Sequence, residues 1–126
     1  EWLKEERDAE DRAGEGNSGF YCNRKIIAGA FVMDQGICAV HDGMPIGFVI
    51  WGRYQEMSTV DIVEVHPEYR GRGIGRLLMN ALQARYAGFH QQMLTADGRA
   101  IAFYEGLGFS RAGHTQSMWI YAGSEH

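Results

Sequence analysis

The chain has 126 residues, 45% of them hydrophobic and 22% charged, with a formal net charge of −4. This is the size and balance of one folded domain with its own core, so disorder is not the default. The charge is local. Residues 1–16 carry seven acids against three bases, and the rest balances at nine against nine. A surface that coats nucleic acid is therefore not expected.

The longest apolar run, "IIAGAFVM" at residues 26–33, falls far short of the roughly 20 residues that cross a bilayer. No membrane association is expected. The first residues are acidic and lack an apolar stretch, so no signal peptide is read, and the absence of an initial Met leaves room for residues upstream. Cys22 and Cys38 stand outside any metal-binding spacing, and the five histidines are scattered. The expectation is free thiols, a cytoplasmic setting and no metal.

In chain order, "EWLKEERDAEDRA" (1–13) reads as a charged helix and "GEGNSG" (14–19) as a breaker. "FYCNRKIIAGAFVM" (20–33) fits strand or helix equally well. "ICAV" and "PIGFVIW" read as strands joined at Asp42-Gly43, a hairpin signal, and "TVDIVEV" (59–65) as a third strand after the turn "RYQEMS". Pro67 ends that strand. Ile74, Leu77, Leu78, Ala81, Leu82 and Tyr86 are spaced as one helical face. "QQMLTA" (91–96) reads as a strand and "GRAIAFYEGLGF" (98–109) as a helix closed by Gly108, with Phe109 packing back. "TQSMWIYA" (115–122) alternates as a final strand. The order predicts a mixed α/β domain in which an antiparallel meander feeds a helical crossover.

The densest signal is at residues 70–76, "RGRGIGR", where three arginines and three glycines sit between a strand and a helix. The first N–H groups of a helix lack intrahelical partners, and the helix dipole adds positive potential there. Gly71, Gly73 and Gly75 allow close backbone approach, and Arg70, Arg72 and Arg76 can pair with phosphate oxygens. The spacing is G-x-G-x-G, so it is neither the dinucleotide fingerprint nor a P-loop. A repeated, disordered RGG segment does not fit a single copy before a packed helix. The bland alternative is a tight turn with incidental arginines.

These residues resemble the GNAT acetyltransferase superfamily. Arg70-Gly71-Arg72-Gly73-Ile74-Gly75 matches its R/Q-x-x-G-x-G/A signature, Val65 to Tyr69 its V-x-P-x-Y lead-in, and "RAIAFYEGLGF" its later A-x-x-x-Y-x-x-x-G-F segment. The resemblance covers residues 36–121, inside a single domain spanning 1–126 whose first 35 residues are atypical. It implies a central mixed, mostly antiparallel sheet flanked by helices.

It also implies direct transfer of an acetyl group from acetyl-CoA to a primary amine of a small molecule or peptide. By similarity, the pyrophosphate would lie on the N–H groups of Gly71, Arg72, Gly73, Ile74, Gly75 and Arg76, beside Arg70. Val63 and Val65 would offer backbone hydrogen bonds along the pantetheine arm. Asp97 stands where the family often has Asn, and when ionised it accepts but cannot donate. Tyr104 matches the tyrosine that protonates the departing thiolate or holds the sulfur. The candidate bases are Asp61, Glu64 or a water relay. Strand alternation predicts that Asp61 shares a face with Thr59, Val63 and Val65, while Glu64 and His66 face the other way.

Three functions follow for test. They are an N-acetyltransferase, a non-catalytic acetyl-CoA-binding module and, least in keeping with the charge, an RNA-binding domain. An open sheet edge would favour a homodimer.

Overall fold

In the computed structural model, which describes residues 24–123, the ambiguous apolar stretch is a helix from residue 24 onward: α1, Arg24–Val32. The charged segment 1–13, the breaker 14–19 and Cys22 lie outside the described residues. Ile27 and Ala30, one turn apart on α1, pack on Phe48, Ile50 and Ile62.

The meander follows as β1 (Gly36–His41), β2 (Met44–Tyr54) and β3 (Met57–Val65). Asp42 and Gly43 have φ of 50° and 77°, the pair of positive angles that a two-residue hairpin of the favoured twist requires. A one-turn 3-10 helix (Pro67–Tyr69) leads to α2 (Ile74–Arg85), then β4 (Gln91–Met93) and α3 (Ala100–Glu105). Sheet order is β1-β2-β3-β4, antiparallel except for the parallel pair β3–β4. This is the mixed, mostly antiparallel sheet that the sequence implied.

β2 is buried from Ile46 to Trp51 because helices cover both faces. On the α2 face, Val49 and Trp51 meet Leu78, Met79, Leu82 and Tyr86. The Trp51 indole N–H donates to the Tyr86 hydroxyl at 2.7 Å within that core. Leu77 does not belong to this face: it is 62% exposed, whereas Met79 is fully buried. The reason is the contact line between helix and sheet. A Cβ on Gly47 would lie 3.3 Å from both Ile74 and Leu78 and 3.0 Å from the Glu64 carbonyl. The ridge Ile74–Leu78 therefore rests on bare backbone, which rolls Met79 inward and Leu77 out.

Two expectations near the C-terminus are corrected. The helix ends at Glu105 with Gly106 as its cap, and the left-handed residue that reverses the chain is Gly108, φ 97°. Phe109 does pack back, its ring centroid 5.9 Å from that of Tyr104. Residues 115–122 form no strand. Alternation creates a strand only where a ladder partner exists, and β3 is the one strand that β4 pairs with among the described residues. Met118, Trp119 and Ile120 are accordingly exposed, with Trp119 stacked on Tyr121.

Gly47→Ala is expected to lower unfolding stability by about 1–3 kcal/mol through overpacking. Gly29→Ala, at a helical position with nothing within 4 Å, should raise it by about 0.5–1 kcal/mol. Urea denaturation of the two variants checks the contrast.

Candidate active site

β3 is paired along its whole length with β2 but only over three residues with β4: Met57 with Gln91, Ser58 with Gln92 and Thr59 with Met93. Beyond Thr59 the two strands part, and Leu94 joins the α2-side core. The remaining stretch of β3 keeps an edge that no strand covers among the described residues.

The ladder decides which groups that edge presents. His66 donates to the Ile46 carbonyl at 2.7 Å, so by antiparallel alternation Glu64 and Ile62 also bond toward β2. The backbone groups of Val63 and Val65 then point outward. Arg70 reports this directly, because its Nε donates to the Val65 carbonyl at 2.9 Å.

Register also corrects the position of Asp61. Ile50 pairs with Ile62 but Trp51 pairs with Val60, which leaves Asp61 as the extra residue of a β-bulge. Strict alternation fails there, and Val60, Val63 and Val65 all pack toward α2. Asp61 lies instead on the α1 face with Ile62. Its Oδ2 is 3.9 Å from where a Gly52 Cβ would project. Though solvent reaches it, the packing around it pushes its carboxyl above the ordinary range.

Tyr104 faces the other side of the opening. It is half-buried in the α2-side core beside Phe103 and Phe109. Burial pushes its phenol up, and the nearby Glu64 carboxylate adds to the shift. The fold thus brings Tyr104 and Glu64 within electrostatic reach of one another. Glu64 also lies 3.7 Å from the Arg70 guanidinium.

The arginine-glycine turn closes one end of the opening. Gly71 and Gly73 adopt φ of 76° and 84°, and a Cβ on either would meet nothing within 4 Å. Gly73 is the N-cap of α2 and supplies no side-chain cap. The first intrahelical bond there is Leu77 N–H to the Gly73 carbonyl, so the N–H groups of Ile74, Gly75 and Arg76 precede the ladder. A Cβ on Gly75 would touch Phe103 at 3.4 Å, so this glycine is what lets α3 lie against the start of α2.

The three arginines separate. Arg70 turns back onto β3, Arg72 lies 5.2 Å from the Tyr69 ring centroid, and Arg76 lies near Gly106. Asp97 is exposed and uses its carbonyl to receive the Ala100 N–H. Residue spacing gave no sign of the aromatic surroundings of Tyr69, where His41 and His66 each place a ring 5.6 Å away. A cavity of about 320 Å³ lined by Gln83, Phe89, Gln92, Gly108, Phe109 and Ser110 contains none of the expected site residues. Among the described residues, no group of His, Cys, Asp and Glu could hold a metal ion, and no helix is long and apolar enough to cross a membrane.

The site is a mixed sheet whose strands β3 and β4 part beside a glycine-rich helix start, and comparison with known proteins gives its family. Residues 31–111 match the acetyltransferase (GNAT) domain, and the chain belongs to that family. It is 37% identical over 54 residues to the uncharacterized N-acetyltransferase ycf52 of Gracilaria tenuistipitata var. liui, a match covering 41% of this chain and 30% of the relative. The match therefore spans less than a third of that curated relative. Among solved structures, a putative GNAT acetyltransferase from Xanthomonas campestris is 26% identical at a TM-score of 0.63, covering 80% of this chain and 72% of that one. The ribosomal-protein-S18-alanine N-acetyltransferase of Escherichia coli is 27% identical at a TM-score of 0.57, covering 65% and 59%.

The raised Asp61 carboxyl gives a signed expectation. Folding disfavours its ionised form, so the penalty is absent below the ordinary carboxylate range near ~3.9 and sets in as pH rises above it. Asp61→Asn should raise the thermal midpoint at pH 7 and leave it unchanged near pH 3. A rise of equal size at both pH values would sink this account.

Proposed function

We propose that this chain is an acetyl-CoA-dependent N-acetyltransferase that passes the acetyl group directly to a primary amine of a small molecule or peptide. The observation that carries the reading is the uncovered edge of β3, with the N–H groups of Val63 and Val65 along it, the glycine turn at one end and Tyr104 beside it.

The residues present suit the co-substrate. The N–H groups of Ile74, Gly75 and Arg76 at an uncapped helix start, with two left-handed glycines before them, would hold its pyrophosphate. Val63 and Val65 would hydrogen-bond its pantetheine arm, and Asp97 sits at the start of α3 as a further contact. When bound, the co-substrate supplies an activated thioester.

The protein's own part is positioning and proton handling. An outward N–H of β3 donates to the carbonyl oxygen as negative charge develops there, an effect worth about 3–4 kcal/mol where measured for one such donor. The acceptor amine arrives as ammonium and must first lose a proton. Asp61 at the bulge, Glu64 near the opening, or a water ordered by either accepts it. A phenol held protonated by burial and by Glu64 suits Tyr104 to donate to the departing thiolate sulfur.

Calorimetric titration with acetyl-CoA, CoA and pantetheine is the first test. Micromolar binding of the first two, lost for pantetheine, is expected. Thiol release with an amine panel then separates the enzyme from a non-catalytic acetyl-CoA-binding module. Tyr104→Phe is expected to reduce turnover by about 10²-fold at unchanged CoA affinity. Unchanged turnover in this variant would remove the acid role, and absence of CoA binding would remove the whole reading.

A further inference from the structure

Arg72 lies in the middle of the glycine turn, on exposed chain, where a long cation would ordinarily sample many rotamers. It does not stand alone. Its guanidinium carbon is 5.2 Å from the centroid of the Tyr69 ring, within cation–π range. Two imidazole rings also meet that ring. The His66 ring meets it edge-on at 88° and 5.6 Å, and the His41 ring meets it tilted at 59° and 5.6 Å.

Each member of the cluster is anchored by a different part of the fold. His66 follows β3 and accepts the Glu68 N–H at its Nδ1, 3.1 Å away, which caps the one-turn helix that carries Tyr69. His41 closes β1 at the hairpin, where its Nε2 lies 3.3 Å from Asp42 Oδ2. Asp42 and Gly43 hold that hairpin in its left-handed turn. The hairpin tip and the glycine turn, some thirty residues apart, are thereby joined through one phenol ring.

We propose that Tyr69, steadied by His41 and His66, is a positioning residue that holds the Arg72 guanidinium ready for a phosphate group of bound CoA. The proposal rests on the acetyl-CoA reading above and adds residues that the glycine turn alone does not name. Stacking restricts the rotamers of Arg72 before the ligand arrives, so less side-chain entropy is lost on binding. A guanidinium held over a ring in this way can still direct N–H groups to oxygen acceptors. Lysine would keep the charge and lose the stack.

The test is calorimetric titration of CoA into the whole chain and into Tyr69→Phe, Tyr69→Leu, Arg72→Gln and the Tyr69→Leu/Arg72→Gln pair. Tyr69→Phe keeps the ring and should bind as the unaltered protein does. Tyr69→Leu and Arg72→Gln should each weaken CoA about three- to tenfold, and the pair should be no weaker than Arg72→Gln alone. Purely additive losses, or a Tyr69→Phe variant as weak as Tyr69→Leu, would show that the ring serves packing alone and overturn the proposal. Arg72→Lys, an exposed change, covers the case in which Tyr69→Leu does not fold. Weakening toward Arg72→Gln supports the stack, and full affinity overturns it. Failure of the unaltered protein to bind CoA is a separate outcome, which removes the acetyl-CoA reading itself and the proposal with it.

Discussion

β3 has two neighbours that ask for different things, and the site is the consequence. On one side β2 pairs with eight of its nine residues in an antiparallel ladder broken by a single bulge. On the other, β4 follows it in parallel for only three residues. A strand cannot leave one edge of its backbone unpaired in a dry interior without losing several hydrogen bonds. Among the described residues no strand covers the second half of β3, so its outward groups are left for other partners. Everything of chemical interest is arranged around that half-strand: the outward groups of Val63 and Val65, the bulge at Asp61, Tyr104 across the opening, and the glycine turn where β3 gives way to α2.

The opening persists because the elements bordering it are separately fixed. α2 rests on the bare backbone at Gly47, so the helix start is brought down to the sheet. The same helix is tied at its far end, where Arg85 pairs with Asp34 at 2.6 Å beside the buried Trp51–Tyr86 pair. α3 meets the start of α2 at Gly75, where Phe103 fills the space a side chain would take. Glycine is thus used in two ways within a few residues. Gly71 and Gly73 supply backbone angles, and Gly47 and Gly75 supply closeness.

Electrostatics around the opening are mixed in sign. Arg70 is drawn to the Val65 carbonyl and Glu64, Arg72 rests on Tyr69, and Arg76 lies toward Gly106. The positive field of the turn comes from three side chains held in three directions plus the helix start, rather than from one flexible cluster. The acids are Glu64, within 3.7 Å of Arg70, and Asp61, and burial moves Asp61 and Tyr104 in the direction that keeps each protonated to higher pH.

The sequence by itself determined the elements whose signals are local. The Asp42-Gly43 hairpin, the glycine turn, the helix after it and the family resemblance all rest on residues adjacent in the chain, where backbone preference and spacing carry the information. Tertiary structure decided what depends on partners. Residues 24–32 became a helix because Ile27 and Ala30 found the face of Phe48, Ile50 and Ile62. Residues 115–122 have the alternation of a strand and no ladder to join. Asp61 changed faces because a bulge is a two-strand property, invisible in the period of one strand. The grouping of Tyr69 with His41 and His66 likewise required the hairpin to fold over the turn, since nothing in the spacing of 41, 66 and 69 brings three rings together.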